Sequence, residues 1–187
     1  MKRLVMVGKP GSGKGTQAGL LAERYSIPHI STGDIFRDHM RRKTPLGIQI
    51  TESMNAGKYT SDEITNAIIL ERLNEPDTVN GYLLDGYPRT INQAQYMLDH
   101  DLIIDTIINL EVSNDECVNR LLARASQTNR GDDTEEVIRT RMGLYEETVV
   151  PLLKFYETTS TKIVTVDGTL PVRDVNNQLV NSLDTIE

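Results

Sequence analysis

Gly8, Lys9, Pro10, Gly11, Ser12, Gly13 and Lys14 follow a short apolar run and precede a helical pattern, which is the spacing of a loop that cradles phosphate. Glycines let such a loop turn its backbone N–H groups inward, the helix behind it offers a positive N-terminus, and the Lys14 ammonium reaches the terminal phosphates. The ligand implied is a nucleoside triphosphate. The general pattern places Ser or Thr directly after the lysine to meet Mg²⁺, whereas here Gly15 stands there and Thr16 comes one later. Further along, Tyr82, Leu83, Leu84 and Asp85 read as an apolar strand ending in a carboxylate. Asp85 either presents an acid to hydrated Mg²⁺ beside the phosphates or caps a turn before Gly86. Gly86, Tyr87, Pro88 and Arg89 follow, placing at the same sheet edge a guanidinium whose planar fork binds phosphate oxygens in pairs.

Arginines in the second half require a physical reason for where they sit. Ile138, Met142, Tyr145 and Val149 make a helical apolar stripe, and Arg141 lies on it while Arg139 points away. An inward guanidinium is costly without an anion, so Arg141 is a candidate phosphate ligand and Arg139 a solvated charge. Arg120 and Arg124 stand at i and i+4, where they repel unless they share an anion or pair with acids such as Glu116. Ser31, Thr32, Gly33 and Asp34 announce a helix with Arg37 expected in its first turn, a position that opposes the macrodipole unless an anion or Asp34 or Asp38 neutralises it. Arg41, Arg42 and Lys43 read as a solvated run. His29, His39, His100 and Cys117 have no ligand spacing and read as structural or surface residues.

The elements that must hold these groups alternate. Apolar runs at Leu4 to Val7, Tyr82 to Leu84, Thr106 to Val112 and Ile163 to Val166 suit buried parallel strands. Helical segments separate them, with capping-box spacing at Thr60 and Glu63, Ser113 and Glu116, and Asp133 and Glu136, and with Pro171 suited to a first helical turn. The fold class expected is α/β with a mostly parallel sheet, whose ligands lie beyond the carboxyl ends of the strands. The long stretch from Gly8 to Gly81 predicts an excursion over a ligand, placed near Thr32 to Thr60, and Ser126 to Gly131 reads as either a reduced lid or an ordinary loop.

Composition bounds the partners. With 187 residues, 38% hydrophobic and 25% charged, the chain can build one proper core and is expected to be a single domain, 1–187. Lys+Arg 20 against Asp+Glu 27 gives a formal charge of -7, which argues against a general binder of nucleic acid or anionic membrane but leaves room for a local basic cleft. A single cysteine can supply neither an internal disulfide nor a Cys-rich zinc site, so no structural zinc is expected and a reducing cytoplasm fits. No stretch approaches the roughly 20 apolar residues of a membrane span.

GKPGSGKGTQ at Gly8 to Gln17, STGD at Ser31 to Asp34 and DGYPRT at Asp85 to Thr90 resemble the adenylate kinases, within the nucleoside monophosphate kinases, and the likeness spans nearly the whole chain. The resemblance accounts for Gly15 followed by Thr16, and it implies a P-loop three-layer sandwich with a five-stranded parallel sheet, a monophosphate-binding insertion over 31–60 and a minimal lid over 125–132. The reaction it implies is reversible phosphoryl transfer from MgATP to AMP, giving two ADP, in a cytoplasmic monomer with no nucleic-acid or membrane partner. Carried over by position, ATP falls to Gly11, Ser12, Gly13, Lys14, Gly15 and Thr16, with Arg120, Arg124 and Leu170. AMP falls to Thr32, Arg37, Lys58, Tyr59, Thr60, Gly86, Tyr87, Pro88, Arg89, Gln93, Arg130 and Arg141. The catalytic set is Lys14, Arg89, Arg124, Arg130 and Arg141, with Mg²⁺ met through water by Asp85 and by Thr16. Lys9, Tyr59 and Thr60 depart from the family's usual residues, and the loop at Ser126 to Asn129 is of the short-lid type. The alternatives are a UMP/CMP kinase, against which Thr32 and Thr90 speak, and a guanine-nucleotide switch, for which no Asn-Lys-x-Asp segment occurs.

Overall fold

Five apolar segments pair side by side, all parallel, in the computed structural model, which describes residues 1–127 and 134–186. In chain order they are β1 (Lys2–Gly8), β2 (His29–Ser31), β3 (Gly81–Asp85), β4 (Thr106–Glu111) and β5 (Lys162–Asp167), arranged β2-β3-β1-β4-β5. The helices are α1 (Lys14–Tyr25), α2 (Thr32–Arg41), α3 (Pro45–Asn55), α4 (Asp62–Leu73), α5 (Ile91–Asp99), α6 (Asn114–Gln127), α7 (Glu135–Glu157) and α8 (Val172–Asp184), with one 3₁₀ turn at Pro76–Thr78.

Strand alternation sorts the core into two layers. Val5, Val7, Leu84 and Ile107 face α5 and α7, where Met97, Tyr145, Leu152 and Tyr156 cover them. Leu4, Met6, Leu83 and Ile108 face α1 and α8, meeting Ala18, Leu21, Leu179 and Leu183. Each such aliphatic or aromatic side chain contributes about 1.5–3 kcal/mol by leaving water. Helices on both faces of the sheet make the three-layer sandwich.

The topology fixes where a ligand can sit. β1 lies between β3 and β4, the chain winding first to one side and then to the other, so a crevice opens beyond the carboxyl ends of these strands. Register sets Met6 opposite Asp85 and Gly8 opposite Leu110, bringing the end of β3 beside the loop that leaves β1.

The apolar runs predict four strands; the fifth, β2, is three residues long and exists through its pairing with β3, with His29 opposite Leu83 and Ser31 opposite Asp85. Two caps fall one residue later than the spacing predicts. Ser61, not Thr60, accepts the Ile64 N–H at the start of α4, and Thr134, not Asp133, accepts the Val137 N–H at the start of α7. In both cases a hydroxyl neighbour has the extended backbone an N-cap requires. Ser113 caps α6 as expected, by accepting the Glu116 N–H at 3.4 Å. Pro171 precedes α8 as its N-cap residue rather than sitting inside the first turn. The polar run Thr158 to Thr161 is the connection between α7 and β5. Of the 125–132 segment, 125–127 end α6 and the rest lies outside the described residues.

Candidate active site

At the end of β1 the chain turns sharply and enters α1. Gly13 is the N-cap of α1 with φ 97°, a left-handed conformation that carries no Cβ penalty only for glycine. No acidic residue lies in the first turn of α1, so its exposed N–H groups keep their attraction for an anion. Lys14 folds back over the loop, its Nζ donating to the carbonyls of Gly8 at 2.7 Å and Lys9 at 2.8 Å. Burial pushes its ammonium down to about 8, with Arg89 and Arg141 pressing the same way against Asp85.

Asp85 ends β3 beside this loop. Burial raises its carboxyl, but the adjoining His29 ring and the charges of Lys14 and Arg89 outweigh it and hold the group below the ordinary carboxylate range. His29 Nε2 stands 3.5 Å from Asp85 Oδ2. An ionised acid at the mouth of a phosphate loop, with the exposed Thr16 on the same cleft, fits a hydrated Mg²⁺ carried in on substrate phosphates. Among the described residues no group of three or more His, Cys, Asp or Glu side chains could cage a metal alone.

A cleft of about 700 Å³ spans this region. Its walls include Gly11, Gly13, Lys14, Gly15, Thr16, Arg37, Lys58, Tyr59, Thr60, Asp85, Gly86, Pro88, Arg89, Arg120, Arg124 and Arg141. The inward side of α7 thus carries Arg141 to the cleft as the apolar stripe predicts, with Ile138, Met142, Tyr145 and Val149 buried. Arg139 is exposed and pairs with Glu135.

Arg89 is built into the wall from several directions. Its Nε donates to Gly86 O at 2.7 Å, its backbone N–H donates to Gln93 Oε1 at 2.6 Å, and its guanidinium lies 5.0 Å from the Tyr59 ring centroid. Gly86 has φ 84°, and a Cβ there would come within 2.6 Å of Arg89 Nη2 and 2.8 Å of Thr32 Oγ1, so a side chain would push both away. Thr32 is buried and donates to Gly86 O at 2.9 Å. Gln93 is buried too, its amide donating to Asp62 Oδ1 at 2.7 Å. Thr32 and Gln93 therefore sit behind the wall and shape it.

Other candidates are placed differently from the sequence expectation. Arg37 lies in the second turn of α2, not the first; the first turn holds Asp34, which Arg37 engages at 2.7 Å while still lining the cleft. Tyr87 puts its side chain in the core, donating to Asn66 Oδ1 at 2.7 Å, and is absent from the cleft wall that its neighbours Gly86 and Pro88 line. The Tyr87–Pro88 peptide is cis. Arg120 follows the acid-pairing reading, engaging Glu116 at 2.7 Å, and also donates to the Gly168 carbonyl at 3.0 Å while lining the cleft. Ser12 and Leu170 line a second cavity of about 490 Å³ behind the loop, with Arg120, Gly168, Val172 and Val175. Arg130 lies outside the described residues.

Two contributors carried no functional expectation: His29, read from the sequence as a structural or surface residue, and Asp62. His29 stands next to Asp85 only because β2 pairs with β3, and its place just before the STGD helix start was the available signal. Asp62 ties Gln93 and Thr90 together, accepting from Thr90 Oγ1 at 3.1 Å, and nothing local marks it beyond its place in a helix first turn.

A family model described as adenylate kinase matches residues 6–161. The chain is 45% identical to an adenylate kinase of Nocardioides sp., covering 98% of each chain. It is 44% identical to one of Nocardia farcinica over 97% of this chain and 98% of the other, and 40% identical to one of Leptospira biflexa over 98% and 100%.

Proposed function

The chain belongs to the adenylate kinase family, whose reaction is the reversible transfer of the terminal phosphoryl group of MgATP to AMP, and on that premise we propose which of its residues bind and which catalyse. The observation carrying the proposal is that one cleft gathers Lys14, Arg89, Arg124 and Arg141 beside Asp85, in a protein whose overall charge is -7. So much positive charge in one recess stabilises two facing polyanions and little else.

ATP takes the phosphate loop, Gly11 to Thr16, with Lys14 on its terminal phosphates, and its base takes the second cavity against Leu170 and Arg120. AMP takes the opposite end, bounded by Arg37, Lys58 to Thr60 and Gly86 to Arg89, with Thr32 and Gln93 holding that wall. Segment 31–60 is then the monophosphate-binding insertion, and 125–132 with Arg130 the lid. Mg²⁺ arriving with ATP would be held through water by Asp85, with Thr16, and supplies charge neutralisation on the phosphates.

The chemistry asks little of acids and bases. The phosphoryl group travels through a loose transition state with charge spread over its oxygens, and preorganised donors aimed at that charge do most of the work. Lys14, Arg89, Arg124, Arg130 and Arg141 are those donors, and the two binding regions hold acceptor and donor in line. Closure of the insertion and lid excludes water and so suppresses hydrolysis of ATP. Both substrate regions come from one chain, which supports a monomer, and the single cysteine fits a reducing cytoplasm.

Replacing Arg89 with Ala tests the assignment. A loss of about 10²- to 10³-fold in kcat is expected, the scale of one preorganised donor, with the thermal midpoint unchanged. Near-normal turnover of ATP and AMP by Arg89→Ala would remove Arg89 from the catalytic set.

A further inference from the structure

The geometry points to Tyr59 as a positioning residue that holds the Arg89 guanidinium flat against the cleft wall and anchors it to α7, so that the turn between α3 and α4 governs where the catalytic charge sits. An arginine side chain has many rotamers, and fixing one of them before substrate arrives requires more than a single contact. Along its edge, Arg89 is held by the bond from Nε to Gly86 O at 2.7 Å. That bond leaves the guanidinium free to swing out of its own plane. The Tyr59 ring, 5.0 Å from the guanidinium carbon, closes that remaining direction through a cation–π contact.

The ring is itself held. Tyr59 Oη lies 3.3 Å from Thr148 Oγ1 on α7, and the Thr148 hydroxyl already donates its proton to Leu144 O at 2.7 Å. Tyr59 must therefore be the donor in the pair, which fixes the direction of its O–H and with it the ring. The same turn packs against the same helix two residues earlier, where Gly57 has φ 71° and a Cβ would meet Val137 Cγ1 at 2.9 Å and Arg141 Cγ at 3.2 Å. One short turn thus touches α7 beside Arg141 and carries the ring that faces Arg89. An aliphatic residue at position 59 would supply neither the π face nor the hydroxyl.

The inference rests on the reading of Arg89 as a phosphoryl ligand, and kinetics on wild type, Tyr59→Leu, Tyr59→Phe, Arg89→Ala and the Tyr59→Leu/Arg89→Ala double variant separate the two. Tyr59→Leu is expected to lower kcat about tenfold, with KM for ATP within about twofold of wild type. Tyr59→Phe keeps the ring and should stay within about threefold of wild type in kcat. In the Arg89→Ala background, adding Tyr59→Leu should change kcat by less than about twofold, because the group it positions is gone. Tyr59→Met replaces the leucine variant should that one fail to fold. Full additivity of the two losses, or a Tyr59→Leu variant with the kcat of wild type, overturns the positioning role alone. Normal turnover by Arg89→Ala overturns the Arg89 assignment and this inference with it.

Discussion

Lys14, on the proposed phosphate loop, is held in a way that weakens its own charge. Its ammonium donates to two loop carbonyls and is pushed down to about 8 by burial and by the arginines facing it. A lowered pKa means the charge is lost early as pH rises, so the free enzyme should lose its grip on triphosphate above about pH 8. In pH profiles, kcat/KM for MgATP is expected to fall above that value while kcat stays level to higher pH, since bound phosphates favour the charged lysine. Parallel decline of both quantities would show that another group controls the limb. Much of the lining of the candidate cleft was legible beforehand. The loop announced itself through glycine spacing, and Arg141 through its place on an apolar stripe. His29 was not legible, because its partner Asp85 becomes a neighbour only when β2 joins the sheet. Arg37 was read one turn too early because the helix begins at Thr32 and its first acid, Asp34, precedes it.

Elements matter here through the ties between them. α4 and α5 start side by side and are joined by Asp62, which accepts from Gln93 Nε2 at 2.7 Å and from Thr90 Oγ1 at 3.1 Å. Thr90 is also the N-cap of α5, accepting the Gln93 N–H, and Gln93 supplies the oxygen that fixes the Arg89 backbone. Asp62→Ala leaves the buried Gln93 amide without its acceptor, which costs about 1–3 kcal/mol. A lower thermal midpoint is therefore expected, together with a raised KM for AMP and an unchanged KM for ATP. A variant that loses stability but keeps its KM for AMP would detach this network from the acceptor wall. Sequence patterning located such elements well where apolar runs were long. It missed β2, whose three residues show no periodicity of their own, and it set two caps one residue early where adjacent hydroxyl or acidic residues compete for the position. Long-range pairing decides the first of these and local backbone conformation the second, and neither is written in spacing alone.

Charge at the scale of the whole molecule runs opposite to charge in the cleft. A chain carrying a formal -7 repels anions at a distance, yet its sheet topology collects Lys14, Arg89, Arg124 and Arg141 into one recess of about 700 Å³. Attraction for phosphate is thus confined to a short range and to a site walled by low-dielectric core, where it is screened less than at the surface. A single ligand carrying two adenosines joined through a polyphosphate chain should exploit the whole recess at once. It is expected to bind one per chain and to compete with both ATP and AMP. At 100 times its Kd it should add about 2.7 kcal/mol of stability, or roughly 5–10 °C in midpoint for a chain of this size. Raising ionic strength should weaken it more than it weakens AMP, because more phosphates meet the same cluster. Calorimetric titration reads the stoichiometry, and inhibition kinetics read the competition. Two molecules per chain, or competition with only one substrate, would mean that the positive groups serve two separate sites rather than one continuous path for a phosphoryl group.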